Sequence, residues 1–211
     1  VVLGVGTNKR FWPSMRALKN IVASGRLGEI LHLEGNYSNE NSDTQFYRWR
    51  DLPTESPGGG MSGAGLHMLD GLISLVGAPR YVHARLVARR PDPGPRDTVS
   101  VLFEFANGVS GMLGTVRAPP YYWRTHVFGS KGSAEVLGEG ELVLRLSGVP
   151  RLTQNFEPVD TLLAEFDAFA DAVAGRAPYP FPAEEMVATV AAFEAVVDSI
   201  ETGRAVLLDG E

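Results

Sequence analysis

The sequence predicts an α+β domain built on one large, mostly antiparallel open β-sheet with helices on a single face. Three observations carry that prediction. Apolar residues recur at helical spacing near both ends of the chain and again after residue 63, whereas residues 81–146 alternate with a period of two. The connections within that middle stretch are too short to hold crossover helices, so its strands run mostly antiparallel. The 211 residues, 44% of them hydrophobic and none of them cysteine, suffice for one substantial core without disulfides, so residues 1–211 are read as a single domain.

The elements follow in order. Val1-Val2-Leu3 opens apolar, and Gly4-Val5-Gly6 reads as the end of a strand. Pro13 suits the first turn of a helix whose Met15, Leu18, Ile21 and Val22 line one side, with Gly25 as its stop. Residues 30–37 alternate like a strand. Residues 38–56 make a long polar and aromatic loop, of the kind a compact domain keeps where something binds. A helix then follows the glycine run, with Leu66, Leu69, Leu72, Ile73 and Val76 on one side and His67, Asp70 and Ser74 on the other. Gly77-Ala78-Pro79 ends it. Strands are expected at 81–89, 98–105, 110–117, 125–129, 133–137 and 141–146, with turns at Asn107-Gly108 and at 129–132. Helical spacing returns at 162–174 and 183–200, the second with Met186, Val190, Phe193, Val197 and Ile200 as its stripe and Glu184 and Glu185 at its positive end.

In the strand at 98–105, Val99, Val101, Phe103 and Phe105 alternate with Ser100, Leu102 and Glu104, which puts apolar side chains on both faces. A second sheet or subunit is expected on the open face, hence a homo-oligomer. A formal charge of −6 argues against a nucleic-acid partner. No apolar run approaches the roughly 20 residues of a membrane span, so a soluble, cytoplasmic protein is expected. The four histidines show no close metal-ligand spacing, and no Gly-x-Ser-x-Gly elbow supports a serine hydrolase.

The chemistry concentrates at Pro57-Gly58-Gly59-Gly60-Met61-Ser62-Gly63-Ala64-Gly65-Leu66-His67-Met68-Leu69-Asp70. Five glycines lead into a helix that carries a histidine near its start. Glycine lets a ligand approach the main chain, the first helical turn offers unpaired N–H donors, and histidine adds a group that takes protons near neutral pH. From pattern alone, His67 and Asp70 face either water or a cleft.

This run resembles the C-terminal domain of the Gfo/Idh/MocA oxidoreductases, the glucose-fructose oxidoreductase and inositol dehydrogenase family. The likeness extends to Val5-Gly6-Thr7-Asn8-Lys9-Arg10-Phe11, to Ser24-Gly25-Arg26-Leu27-Gly28-Glu29-Ile30, to Phe128-Gly129-Ser130-Lys131-Gly132 and to the closing residues 199–206. It implies hydride transfer between nicotinamide and a sugar-like or polyol carbon, with NAD or NADP held by an N-terminal Rossmann domain. That domain is expected upstream of Val1, since Lys9 stands where a dinucleotide fingerprint needs its third glycine. The resemblance also implies pairing of subunits through the open sheet. The isolated chain is expected to be inactive and to bind no dinucleotide itself.

By the same resemblance His67 takes the catalytic histidine's role, but the aspartate four residues earlier is replaced by Gly63. Two function classes therefore stand: the substrate and oligomerisation half of an oxidoreductase, or a non-catalytic binding or assembly module on the same scaffold. Asp70 is a candidate to orient His67 or meet substrate, and Gly60 to admit a ligand to the backbone. Trp49 and Arg50 read either as sugar-stacking and hydroxyl-gripping contacts or as a core plug and its neighbour. Tyr122, with Tyr121 and Trp123, poses the same question.

Overall fold

The computed structural model describes residues 1–39, 52, 54–87, 98–118 and 120–208. Trp49 and Arg50 lie outside the described residues. The described chain forms a nine-stranded sheet with four α-helices. Its strands are β1 (Ile30–Ser38), β2 (Pro79–Val87), β3 (Thr98–Phe105), β4 (Ser110–Val116), β5 (Tyr122–Gly129), β6 (Gly132–Leu137), β7 (Glu141–Leu146), β8 (Leu152–Asn155) and β9 (Val206–Leu207). Their spatial order is β8-β7-β6-β5-β1-β4-β3-β2-β9. All described pairings are antiparallel except β1 with β4, where β1 enters the sheet between strands formed later in the chain. The helices are α1 (Pro13–Ala23), α2 (Ala64–Val76), α3 (Thr161–Val173) and α4 (Ala183–Thr202), and a short 3-10 turn at Asn8–Phe11 precedes α1.

Sequence and structure agree wherever the local signal is strong. Pro13 opens α1, whose Met15, Leu18 and Ile21 are buried against the sheet. Gly108 turns the β3–β4 connection at φ 84°, a left-handed value that an L side chain rarely adopts, and Gly129 pairs with Gly132 across the second hairpin. Residues 1–7 form no strand; Gly4 and Thr7 lie instead against residues of α3. Strand β5 begins three residues earlier than its alternation suggested, and the short strands β8 and β9 carry too few residues to declare a period.

Helix α4 buries Met186 of its predicted stripe and packs Phe193 and Ile200 partly against the core, but it also buries Thr189, Ala192, Ala195, Val196 and Ser199, while Val190 is half exposed. The small side chains let the helix lie close to β2, close enough for the Ser199 hydroxyl to accept the Ala84 amide proton at 2.8 Å.

The core fills the gap between the helices and one sheet face: Leu33, Val82, Val99, Val101, Leu113, Val127 and Val136 from the strands meet Leu18, Met68, Leu69, Leu72 and Val196 from the helices. Two glycines set the seat of α2. A Cβ at Gly35 on β1 would lie 2.8 Å from Met68 Cγ, and one at Gly65 would lie 3.0 Å from Thr115 Cγ2 on β4. The first turns of α2 therefore pack against the β1–β4 junction more tightly than any larger residue permits.

Candidate functional site

The 3-10 turn and α2 are locked together by Arg10. Its Nε and Nη2 donate to the two carboxylate oxygens of Asp70 at 2.7 and 2.6 Å, and Nη1 donates to Glu185 on α4. Phe181 lies against the guanidinium, 4.7 Å from Cζ to the ring centre, and the Thr189 hydroxyl sits 3.4 Å from Asp70. Arg10 and Asp70 are 7% and 3% exposed. This corrects the expectation that Asp70 faces water or substrate. Both of its oxygens are spent on a buried bidentate ion pair, and its side of α2 is covered by α4. Asp70 holds the site together from within.

The clamp places the neighbour of Arg10, Lys9, near His67, which lies one helical turn before Asp70. His67 is partly exposed, on the border between core and surface. Its ring is held below the ordinary imidazole value, mainly by desolvation and then by the nearby Lys9 charge, with Asp70 opposing. The imidazole is therefore neutral at pH 7, the form that can accept a proton. Lys9 is also pushed down by burial, against a pull from Glu139. Its ammonium lies 4.4 Å from the centre of the Trp12 ring. Sequence reading treated Lys9 only as the residue that spoils a dinucleotide fingerprint; its nearness to His67 arises from the turn and from a contact 60 residues away. We expect Lys9→Met to raise the His67 pKa, because removing a neighbouring cation favours imidazolium. NMR titration of the His67 ring measures this, and an unchanged or lowered value would contradict it.

From Lys9 an aromatic row continues along the ends of the strands. Trp12 meets Trp123 edge-on at 5.0 Å, Tyr37 meets Trp123 at 5.8 Å, and Tyr37 meets Tyr121 at 6.1 Å. Tyr121, though nearly half exposed, has its hydroxyl pushed up to about 12 by desolvation, Tyr37 and Glu139, so it stays a hydrogen-bond donor. The buried Trp123 Nε1 and the buried Thr115 hydroxyl have no partner among the described residues. Orphaned buried donors of this kind mark a place where a polar ligand or water belongs. Tyr122, the expected contact, alternates to the other face: it pairs with Ser38 while Trp123 pairs with Tyr37 on the helix-covered side. Strand pleating thus substitutes Tyr121 and Trp123 for Tyr122.

Gly60 sits at the lip of this region, partly exposed, where a Cβ would come within 3.2 Å of the Thr115 hydroxyl oxygen. Gly63, the helix N-cap, has nothing within 4 Å of its Cβ direction among the described residues, so the place of the absent acid is open space beside the start of α2. A separate groove of about 940 Å³ runs between α4 and the β2–β9 edge, lined by Ala78, Val187 and Leu207 among others and away from His67.

The matched family model is that of the GFO/IDH/MocA C-terminal domain, over residues 15–135. The chain belongs to the Gfo/Idh/MocA family. Trans-1,2-dihydrobenzene-1,2-diol dehydrogenase of Sus scrofa is 27% identical over 128 residues, which are 61% of this chain and 37% of that protein. The uncharacterized oxidoreductase YdgJ of Escherichia coli K12 is 26% identical over 94% of this chain and 64% of its own length. Among solved structures, levoglucosan dehydrogenase in complex with NADH and levoglucosan superposes with a TM-score of 0.85 at 21% identity, covering 99% of this chain and 66% of that one. The aldose-aldose oxidoreductase of Caulobacter crescentus gives 0.82 at 22%, covering 98% and 64%. At such identity the likeness shows the fold. The Gfo/Idh/MocA chain described here spans no more than about two thirds of the length of these proteins.

Within this Gfo/Idh/MocA domain, α1 starts at Pro13 directly after Trp12, and α2 starts from a 3-10 turn at Gly59–Ser62. No group of three or more metal-ligating side chains occurs among the described residues, and none of their helices is long and apolar enough to cross a membrane.

The pH dependence of stability follows from the histidines. His126, on the open sheet face, is held down like His67, by desolvation and by Arg124, whose Nη2 lies 2.5 Å from its Nδ1. Both rings titrate below 6.5 when folded and near 6.5 when unfolded. As pH falls through about 6.5, the unfolded chain takes up protons that the folded chain does not, so stability falls; above 6.5 it is fully present. Denaturant midpoints at about pH 7.5 and 5.5 test this, and a higher midpoint at the lower pH would contradict it.

Proposed function

We propose that this domain is the substrate-binding and oligomerisation half of an NAD(P)-dependent dehydrogenase that oxidises or reduces a sugar, polyol or related hydroxy or keto compound in the cytoplasm. The carrying observation is a neutral, partly exposed His67 at a glycine-lined helix start, fixed by the Arg10–Asp70 clamp beside Lys9. Oxidation of a secondary alcohol needs a base within hydrogen-bond reach of the hydroxyl, and a neutral imidazole supplies it. Lys9 and Tyr121 would bind substrate hydroxyls, and the nearly half-exposed Tyr121 ring would offer a face to a sugar. A bound nicotinamide would supply the hydride chemistry, while residues of this chain would bind and orient the substrate and take or return its hydroxyl proton.

Gly63 favours a second reading, a binding or assembly module that has lost catalysis along with its acid. Assaying the complete gene product against polyols and keto-sugars with NAD, NADP and their reduced forms decides between them. Turnover supports the dehydrogenase. Binding of a polyol without turnover under any cofactor would leave the module.

The open face supports the oligomer. Leu102 and Met112 lie opposite each other across β3 and β4, each 50% exposed. Beside them runs a polar band in which Arg124 donates to Glu34 at 2.7 Å and to Glu135 at 2.9 Å, and Arg145 donates to Glu135 at 2.6 Å. A face with an apolar patch beside paired charges suits burial against its own copy. Light scattering is expected to give a dimer or larger, and Leu102→Glu to give monomers. Monomeric wild-type protein would end the reading.

A further inference from the structure

We infer that Glu139, at the tip of the β6–β7 hairpin, is a specificity-determining residue of the candidate site: it offsets the anion-attracting Lys9, so that the site takes neutral polyhydroxy compounds and gives sugar acids no advantage. This rests on the reading above, that polyols or sugars bind beside His67, and it adds which of them are selected.

The hairpin is anchored at its tip. Three residues, Gly138, Glu139 and Gly140, join Leu137 to its cross-strand partner Glu141. Gly138 turns at φ 63°; its amide donates to the Trp123 carbonyl at 3.0 Å, and its carbonyl accepts the hydroxyl proton of the buried Ser14 at 2.9 Å. The Gly140 carbonyl accepts the Phe156 amide at 2.8 Å. The loop is thereby tied to β5, to α1 and to the segment after β8. Trp123 in turn packs edge-on against Trp12, over whose ring Lys9 lies. One residue on from Gly138, Glu139 therefore stands at the same aromatic row as Lys9 and Tyr121, and its charge acts on both: it favours the Lys9 ammonium against desolvation and helps keep the Tyr121 hydroxyl protonated. Lys9 and Glu139 are partly exposed and Tyr121 is 47% exposed, so all three can meet a ligand.

Charge then decides what they select. An ammonium beside a tyrosine hydroxyl binds a carboxylate at least as readily as an alcohol. Asp70 does not offset it, since both of its oxygens are held by Arg10. Glu139 does: what an incoming carboxylate gains from Lys9 it loses to Glu139, whereas a neutral diol can accept from the ammonium and donate to the carboxylate at once.

D-Glucitol and D-gluconate share a six-carbon polyhydroxy chain and differ in charge at one end. The 211-residue chain is to be titrated with each, with the His67 ring followed by NMR, in the wild type and in the variants Glu139→Gln, Glu139→Asp and Lys9→Met. Glu139→Gln is expected to raise the gluconate-to-glucitol affinity ratio about ten-fold, Lys9→Met to lower it, and Glu139→Asp to keep it within about two-fold of wild type. The gain in Glu139→Gln should shrink in about 0.5 M KCl, as screening requires. A loosened hairpin weakens both ligands together and leaves the ratio alone, so an unchanged ratio in Glu139→Gln or in Lys9→Met overturns the assignment even where both affinities fall. Glucitol that shifts the His67 ring with such an unmoved ratio sinks the role of Glu139 alone; a His67 ring that responds to neither compound sinks the reading beneath it as well.

Discussion

Arg10→Met is expected to destabilise the fold by about 3–5 kcal/mol, the cost of leaving one member of a buried ion pair without its partner. Asp70 is 3% exposed and would keep two carboxylate oxygens that no water reaches, and Glu185 would lose the same guanidinium. Methionine replaces much of the volume and keeps an apolar contact to Phe181, so the loss isolates the charge. Guanidinium melts read the effect. The double variant Arg10→Met with Asp70→Asn is expected to recover part of it, because the amide is cheaper to bury than an unpaired carboxylate. A single variant within about 1 kcal/mol of wild type would mean that the clamp contributes little beyond packing.

His67→Ala in the complete gene product is expected to lower kcat by about 10²–10⁴-fold, the usual worth of a positioned general base, with KM changed far less. The ring is partly exposed, so its removal leaves the core intact and a folding defect does not confound the assay. The kcat profile of the wild type should fall on the acid side as His67 takes up a proton below pH 6.5, and the variant should lose that limb. Unchanged kcat would remove His67 from the chemistry and require another residue to take the hydroxyl proton.

How much was legible varies with the range of the interaction. The alternation of β3, the Asn107-Gly108 turn, Pro13 at the head of α1 and the glycine run before His67 are local signals, and each appears where the residues alone put it. For the candidate site, the residues alone pointed to His67 and to the neighbourhood of residues 121–123. Asp70 looked free because three-to-four-residue spacing reports only its own helix, and Arg10 reaches it from 60 positions away. Tyr122 was preferred over Tyr121 and Trp123 because the start of β5, which decides which of them points inward, is weakly marked. Lys9 gave no signal as a site residue, since a lone lysine next to arginine is ordinary surface until a fold turns it toward a histidine.

The sequence by itself determined the family, the α+β class, the mostly antiparallel sheet and the place of a histidine at the start of a glycine-led helix, because propensity, periodicity and glycine chemistry act over a few residues. Only the tertiary structure decided that β1 joins β4 in parallel and that Asp70 is an internal anchor rather than a ligand contact. Those outcomes depend on which distant groups share a desolvated space, and burial in common is a property of the folded chain, not of any stretch of it.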